Sequence, residues 1–128
     1  MFKRIPNQMI GGFSDAVVVA MGDYSTIHIS GHVGNDASGK ATAKTFAEEV
    51  DVCLANIARS LERAGAGMKD VVRITCYLTD LADYPIYSKA RAAAFKDNPP
   101  ASATVQVAGL LVNAKIEIDA IAVVKNKR

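Results

Sequence analysis

The chain has 128 residues, of which half are hydrophobic and 22% are charged, a composition typical of one soluble globular domain. Its formal net charge of +2 argues against a nucleic-acid-binding surface, and no apolar run approaches the roughly 20 residues of a membrane span. Residues 1–6 lack the apolar core of a signal peptide, so we expect a cytoplasmic protein with a single domain over residues 1–128.

A β-hairpin is predicted near the start of the chain. Residues 16–20 and 26–30 read as strands on either side of a turn at Met21-Gly22-Asp23. A further strand is expected near residues 3–6. Residues 31–40 are rich in turn-forming side chains and are predicted to form a loop.

The clearest local pattern is an amphipathic helix over residues 43–65. Thr45 and Glu48 have the spacing of a capping box, and Gly65 supplies a stop. The apolar residues recur at steps of three and four, so they share one helix face. These residues are Phe46, Val50, Cys53, Ile57 and Leu61.

A strand and a second helix follow. Residues 71–78 alternate, and the apolar positions share one face of the predicted strand. These positions are Val72, Ile74, Cys76 and Leu78. Asp80 or Asp83 can cap the second helix, Pro85 is tolerated in its first turn, and we expect the helix to end near Phe95.

Residues 104–108 and 116–124 predict the last strands, with a turn near Asn113 between them. The predicted order is strand, strand, helix, strand, helix, strand, strand, with the N-terminal strand in addition. This order indicates an α+β fold in which two helices cover one face of a mixed six-stranded sheet.

The last predicted strand is apolar on both faces. Ile116 and Ile118 begin one apolar face, whereas Ile121 and Val123 continue the face that Glu117 begins. A strand that is apolar on both faces is normally buried on both, and the helices can cover only one. We therefore expect the uncovered face to pack against other copies of the chain. The alternative is a loop that lies over this face.

The cysteines, Cys53 and Cys76, fall on the first predicted helix and on a predicted strand. We interpret them as buried, reduced thiols. The alternative is a catalytic pair of one cysteine with His28 or His32, but no spacing pattern supports it. No cluster has the spacing of metal ligands, so no metal site is expected.

Several segments, in this order and spacing, resemble one known family, although no single segment is specific. They are Gly12-Phe13-Ser14-Asp15-Ala16, Ile29-Ser30-Gly31-His32, Asn56-Ile57 with Leu61 and Ala64-Gly65, residues 70–75, and residues 100–108 followed by 116–122. The family is the Rid family, the reactive intermediate deaminases, also called the YjgF family. The resemblance covers nearly the whole chain.

The resemblance implies a chorismate-mutase-like fold, a homotrimer and small-molecule ligand sites in clefts between subunits. It also implies hydrolysis of enamines and imines of 2-amino acids to 2-keto acids and ammonia, without a metal or organic cofactor. Family members hold the substrate carboxylate with an arginine, whose planar fork matches a carboxylate. Ser102 stands at that position in this chain. We therefore expect an altered specificity, for a less acidic ligand or for a carboxylate that another group contacts.

The resemblance also assigns site residues. Glu117 matches the glutamate associated with water activation and is the catalytic candidate; the alternative is a surface or salt-bridged acid. The substrate-binding candidates are Phe13, Ser30, Gly31, His32, Ser88, Ser102 and Thr104. His32, where the family usually has glutamine, could bind an anion, or it is a loop residue at a subunit contact.

The polar candidates on the second helix and the following strand predict a neutral hydrogen-bonding pocket formed by Ser88, Ser102 and Thr104. The alternative is that these hydroxyls fill a degenerate site. Arg91 and Lys89 are the nearest candidates for a replacement cation, but a solvated helix face is the favoured interpretation of both.

Three functions remain open from the sequence. The first is a deaminase of small enamines or imines with altered specificity. The second is a non-catalytic trimer that binds a metabolite or a partner protein. The third is RNA cleavage, which is attributed to some relatives and against which the weak charge and the lack of a basic, aromatic surface argue.

Overall fold

The computed structural model describes residues 2–35, 40 and 42–126. The strands in these residues are β1 Phe2–Pro6, β2 Ser14–Met21, β3 Tyr24–Val33, β4 Val71–Leu78, β5 Ala101–Gln106 and β6 Ile116–Lys125. The helices are α1 Phe46–Arg63 and α2 Tyr84–Ala94. The described strands form one six-stranded sheet in the order β1-β2-β3-β6-β4-β5. Only β4 and β5 are parallel neighbours in it. The predicted mixed sheet with two helices is confirmed for the described residues.

Helix α1 begins and ends where its sequence signals stand. The Thr45 hydroxyl accepts a hydrogen bond from the Glu48 amide at 3.2 Å, and the Glu48 carboxylate accepts one from the Lys44 amide at 2.8 Å. At the other end, Gly65 has a φ of 89°, which turns the chain away from the helix. The helix is shorter than residues 43–65 because these capping residues lie outside it.

The core lies between the sheet and the helices. Four residues of the predicted face of α1 are fully buried: Val50, Cys53, Ile57 and Leu61. The side of β6 that faces them is buried as well: Ile116, Ile118, Ala120 and Ala122. Cys53 and Cys76 are free thiols in this core, as predicted. Burial raises the pKa of both thiols, that of Cys76 to about 12, so neither is a nucleophile near neutral pH.

Some predicted boundaries were wrong. Strand β3 continues through residues 31–33, which were predicted as loop, because pairing with β6 resumes there after a shift in register. Residues 36–39 of that predicted loop lie outside the described residues. Strand β5 begins at Ala101 instead of residue 104, because it pairs in parallel with β4 from Arg73 onward.

The predicted core face of β4 was wrong at its first position. Val72 is 47% exposed, whereas Val71 is buried. The register between β4 and β6 shifts between Val71 and Arg73, and this shift reverses the alternation at the start of the strand. From Ile74 onward the predicted alternation holds.

The residues that directly follow β3, Gly34 and Asn35, lie close to helix α1. Asn56 donates hydrogen bonds to the carbonyl oxygens of Val33 at 2.8 Å and Asn35 at 2.7 Å. A Cβ at Gly34 would lie 2.5 Å from the Glu49 carbonyl oxygen. The end of β3 is therefore fixed against α1, and only glycine fits between them.

The other face of the sheet carries no helix among the described residues. Four apolar side chains on it are half-buried: Val17, Val19, Ile121 and Val123. Val105 of β5, on the same face, is exposed. The last strand is thus apolar on both faces, as predicted. None of the helices in the described part of the chain is long and apolar enough to cross a membrane.

Candidate functional site

A β-bulge at the end of β3 shapes the first group of candidate residues. Ser30 and Gly31 of β3 together oppose the single residue Asp119 of β6. A bulge of this kind bends its strand and changes the direction of nearby side chains. Gly31 lies directly against Glu117, because a Cβ added to Gly31 would be 2.6 Å from Glu117 Oε2. The missing side chain of Gly31 is what leaves room for the Glu117 carboxylate.

The Glu117 carboxylate is half-buried on the sheet face opposite the helices. Burial, together with the negative charge of Asp119, raises the pKa of Glu117. Its neighbour on β4, Tyr77, donates its hydroxyl to Asp119 Oδ2 at 2.8 Å instead. Among the described residues, no hydrogen-bond donor contacts Glu117. Both carboxylate oxygens are therefore able to accept a proton or a hydrogen bond from water or a ligand.

A cleft of about 320 Å³ opens beside this carboxylate. We call it the strand-end cleft, and four of the predicted site residues line it: Phe13, Gly31, His32 and Glu117. Exposed apolar side chains from two nearby loops also line it: Met9, Ile10, Leu111 and Val112. The lining also includes Asp15, Arg59 and Arg63, of which Asp15 and Arg63 form an ion pair at 2.8 Å. The cleft therefore combines the Glu117 carboxylate with walls that are partly apolar and partly charged.

Two of the predicted residues, His32 and Ser30, have structural partners. His32 Nε2 lies 2.7 Å from Ser60 Oγ of α1. Burial lowers the pKa of His32 although Asp15 opposes this, so the imidazole is neutral at neutral pH and offers no positive charge to a ligand. His32 lies in β3 and not in a loop. The Ser30 hydroxyl donates to the Ser14 carbonyl oxygen, which ties β3 to β2.

A second group of candidate residues lies at the β5 edge of the sheet. Ser102 and Thr104 pair with Ile74 and Cys76 of β4, whose side chains face the helices. The two hydroxyls therefore lie on the helix side of β5. Ser88 reaches the same region from α2.

The guanidinium of Arg91 lies at the centre of this group. Nη1 donates to Ser102 Oγ at 3.1 Å, and Nη2 donates to the Tyr84 hydroxyl at 2.8 Å and to Ser88 Oγ at 3.4 Å. Arg91 Cζ lies 5.5 Å from the ring centroid of Tyr84 and 5.2 Å from that of Tyr87. The prediction of a neutral pocket was wrong, and so was the interpretation of Arg91 as a solvated helix residue.

Adjoining recesses of about 460 and 560 Å³ open beside this guanidinium. Tyr84, Arg91 and Ser102 line both recesses, Thr104 lines the first, and residues 99–100 line the second. We call the two recesses together the arginine recess. Lys96 lines the second recess as well, so the arginine recess presents the fixed Arg91 guanidinium, the Lys96 ammonium and several hydroxyls to the solvent.

Residues 5–124 match the protein family described as Endoribonuclease L-PSP. The chain belongs to this family, the Rid or YjgF family. It is 38% identical over 115 residues to a 2-iminobutanoate/2-iminopropanoate deaminase of Homo sapiens, covering 89% of this chain and 81% of the relative. A protein of the same name from Dermatophagoides farinae is 31% identical over 119 residues, covering 92% and 90%.

Solved structures of the Rid family share the fold. RidA from an Antarctic Psychrobacter superposes with a TM-score of 0.79 at 32% identity, covering 90% of each chain. The YjgF protein of E. coli superposes with a TM-score of 0.78 at 28% identity, covering 94% of this chain and 93% of its own. The sheet and helices described above are thus a Rid-family architecture.

The two groups of candidate residues do not meet within a single chain. Glu117 pairs with Tyr77 and Tyr77 with Val105, so these residues share one face of the sheet. Ser102 and Thr104 lie on the opposite face. The strand-end cleft and the arginine recess have no lining residue in common. Among the described residues, no cluster of three or more histidine, cysteine or acidic side chains could hold a metal ion.

Sequence reasoning missed Tyr84 and underrated Arg91. Tyr84, Ser88 and Arg91 are spaced by four and three residues, which places them on one face of a helix. This shared face was the available signal, because it places one cation and two hydroxyl groups opposite the hydroxyls of the next strand. Ser60, the partner of His32, has no such signal because it lies on a distant helix.

Proposed function

We propose that this protein hydrolyses small imines or enamines to a carbonyl compound and ammonia, with a specificity altered by Ser102. The observation that carries the proposal is the Glu117 carboxylate. It is half-buried beside Gly31, has a raised pKa and has no hydrogen-bond donor among the described residues. It belongs to a chain that is 38% identical to a human imine deaminase.

The chemistry needs one group that exchanges protons. An imine carbon is electrophilic once its nitrogen is protonated, and Glu117 accepts a proton from water as the water oxygen bonds to that carbon. Glu117 then returns the proton to the nitrogen of the resulting carbinolamine. The carbon–nitrogen bond breaks, ammonia leaves with the electron pair, and the hydroxyl loses its proton as the carbonyl forms. The sum is imine plus water to carbonyl compound plus ammonia.

The proposed site is complete only across a subunit interface. The strand-end cleft and the arginine recess lie on opposite faces of the sheet, so a small ligand cannot contact both in one protomer. A homotrimer of the chorismate-mutase-like kind, with the uncovered sheet faces turned inward, would bring the cleft of one copy to the recess of the next. The half-buried apolar residues of that face, such as Val17 and Ile121, support this assembly.

A second candidate function is the binding of a small metabolite or a partner protein without catalysis. The observation that favours it is Ser102, which stands where the resemblance implies the arginine that holds the substrate. A trimer with this change could keep a ligand site and lose its activity.

One assay separates the two functions. Purified protein is supplied with 2-iminopropanoate, formed in the cuvette by an amino-acid oxidase, and with an uncharged imine of similar size. Carbonyl product and ammonia are followed above the spontaneous rate, and sedimentation gives the number of copies. We expect a trimer that accelerates hydrolysis of at least one compound. A trimer that accelerates neither supports the binding function, and an isolated protomer contradicts the intersubunit site.

A further inference from the structure

We propose that Arg91 is the specificity-determining residue that binds the carboxylate of the ligand in the arginine recess. The guanidinium that contacts the carboxylate would thus come from α2, and not from the position on β5 where Ser102 stands. This inference rests on the proposed site and extends it, because it makes the ligand an acid and not the less acidic compound that the sequence also allowed.

No acidic side chain in the described part of the chain pairs with Arg91. Its contacts are hydroxyls and aromatic rings, and no carboxylate among the described residues lies within ion-pair distance of it or adds to its electrostatic surroundings. Arg63 shows the contrasting case, because its guanidinium is paired with Asp15 at 2.8 Å. A guanidinium among neutral groups at the wall of an open recess lacks the planar anion that its fork matches best.

The guanidinium is also held in place before any ligand binds. Tyr84 and Ser102 accept hydrogen bonds from its two terminal nitrogens, and the rings of Tyr84 and Tyr87 flank its carbon. These rings meet edge to face, with centroids 6.2 Å apart. A side chain that is already ordered loses little rotamer freedom when it binds a ligand, which favours affinity.

The recess has room and donors for a small monoacid. A guanidinium has five N–H groups, and the hydroxyl contacts described above use three. Arg91 and Thr104 both line the first recess. Lys96 also lines the second recess, but in the described part of the chain only the Arg91 guanidinium is held there by side-chain hydrogen bonds.

Lys89 provides a matched control on the same helix. It lies two residues from Arg91 and is exposed, and it lines neither part of the arginine recess. Removing its charge changes the net charge by the same amount as removing that of Arg91. Any general effect of charge on ligand binding should therefore appear in both variants.

The test is calorimetric titration of the whole protein with pyruvate, which carries a carboxylate, and with its uncharged methyl ester. We expect Arg91→Met to weaken pyruvate binding at least tenfold, since a charge-assisted hydrogen bond contributes about 1.5–3 kcal/mol. Arg91→Lys should keep part of the affinity, and Lys89→Met all of it. Binding of the methyl ester should be equally weak in all four proteins. Circular dichroism checks that each variant is folded.

The inference is overturned if wild-type protein does not bind pyruvate, if folded Arg91→Met binds it as tightly as wild type, or if Lys89→Met weakens it equally. Failure of the proposed function looks different. In that case pyruvate binds in an Arg91-dependent way, but no imine is hydrolysed. Conversely, if Arg91→Met hydrolyses 2-iminopropanoate with an unchanged KM, the inference about Arg91 is contradicted and the proposed function is supported.

Discussion

The strand-end cleft and the arginine recess position their charged groups by different physical means. In the cleft, the Glu117 carboxylate is fixed by strand register and by the space that Gly31 leaves. In the recess, the Arg91 guanidinium sits at the end of a long side chain and is fixed by hydroxyls and rings. A charged group that the backbone register fixes, such as the Glu117 carboxylate, can come from one sequence position only. A charged group at the end of a long side chain, such as the Arg91 guanidinium, can reach a site from a different helix or strand.

Replacing the carboxylate of Glu117 should have the largest effect. Glu117→Gln keeps the size of the side chain but removes the proton acceptor, so we expect kcat for imine hydrolysis to fall by about 10²- to 10⁴-fold. Pyruvate binding should be little changed, because Arg91 carries it. Activity within threefold of wild type would show that Glu117 does not exchange protons with the substrate or water.

The pH profile gives this prediction a second readout. Glu117 acts as a base only when ionised, so kcat/KM should fall as the pH drops through its pKa, which burial and Asp119 raise above the ordinary value for glutamate. Asp119→Asn removes the negative neighbour and should move this acid limb to lower pH. In Glu117→Gln the limb should be absent. An acid limb that Asp119→Asn leaves in place would assign it to another group.

Adding a methyl group to the two tight glycines should separate catalysis from stability. In Gly31→Ala the new Cβ meets the end of a flexible side chain, so Glu117 should shift and kcat should fall by up to about 100-fold with the fold intact. In Gly34→Ala the Cβ meets the Glu49 carbonyl oxygen, and the backbone must move. We expect this variant to lose about 1–3 kcal/mol of unfolding free energy.

Gly109→Ala is the control for both glycine variants, because no atom lies within 4 Å of its added Cβ. Activity assays and urea denaturation on the three proteins give the comparison. If Gly31→Ala keeps full activity, the close approach to Glu117 has no catalytic meaning. If Gly34→Ala is as stable as Gly109→Ala, the segment after β3 is less tightly held than the contacts indicate.

Much of the fold could be predicted because its signals are local. The face of α1 and the alternation of β6 follow from residue spacing, and the cap at Thr45 follows from residue type. The wrong predictions share one cause. The bulge at Gly31 and the exposure of Val72 arise where the register with β6 shifts, and register depends on a strand distant in sequence.

The candidate site could be predicted where one position determines the geometry. Glu117 lies on a long strand whose register places it beside Gly31, so a match by position found both. The same comparison by position was not sufficient at Ser102. It identifies the residue at that one position, but it does not identify a side chain from another element that reaches the same place. Arg91 lies 11 residues earlier and reaches Ser102 only because β5 pairs with β4 beneath α2.

The smallest effect on stability and on pyruvate binding is expected from Tyr87→Phe. This change removes the hydroxyl but keeps the ring beside Arg91, so it tests the two groups separately. The Tyr87 hydroxyl is fully buried, and none of its polar neighbours among the described residues meets hydrogen-bond geometry with it. Burying an unsatisfied hydroxyl costs about 1–3 kcal/mol, so Tyr87→Phe should keep or slightly raise the unfolding free energy. Pyruvate binding should be unchanged because the ring beside Arg91 remains.

Tyr77→Phe is the matched control, since the Tyr77 hydroxyl donates to Asp119 and its loss should cost about 0.5–1.5 kcal/mol. Urea denaturation of both variants measures the difference. A loss in Tyr87→Phe as large as that in Tyr77→Phe would mean that the buried hydroxyl has a bonding partner. Weaker pyruvate binding by Tyr87→Phe would mean that this partner is Arg91, and the recess would then depend on the hydroxyl as well as on the ring.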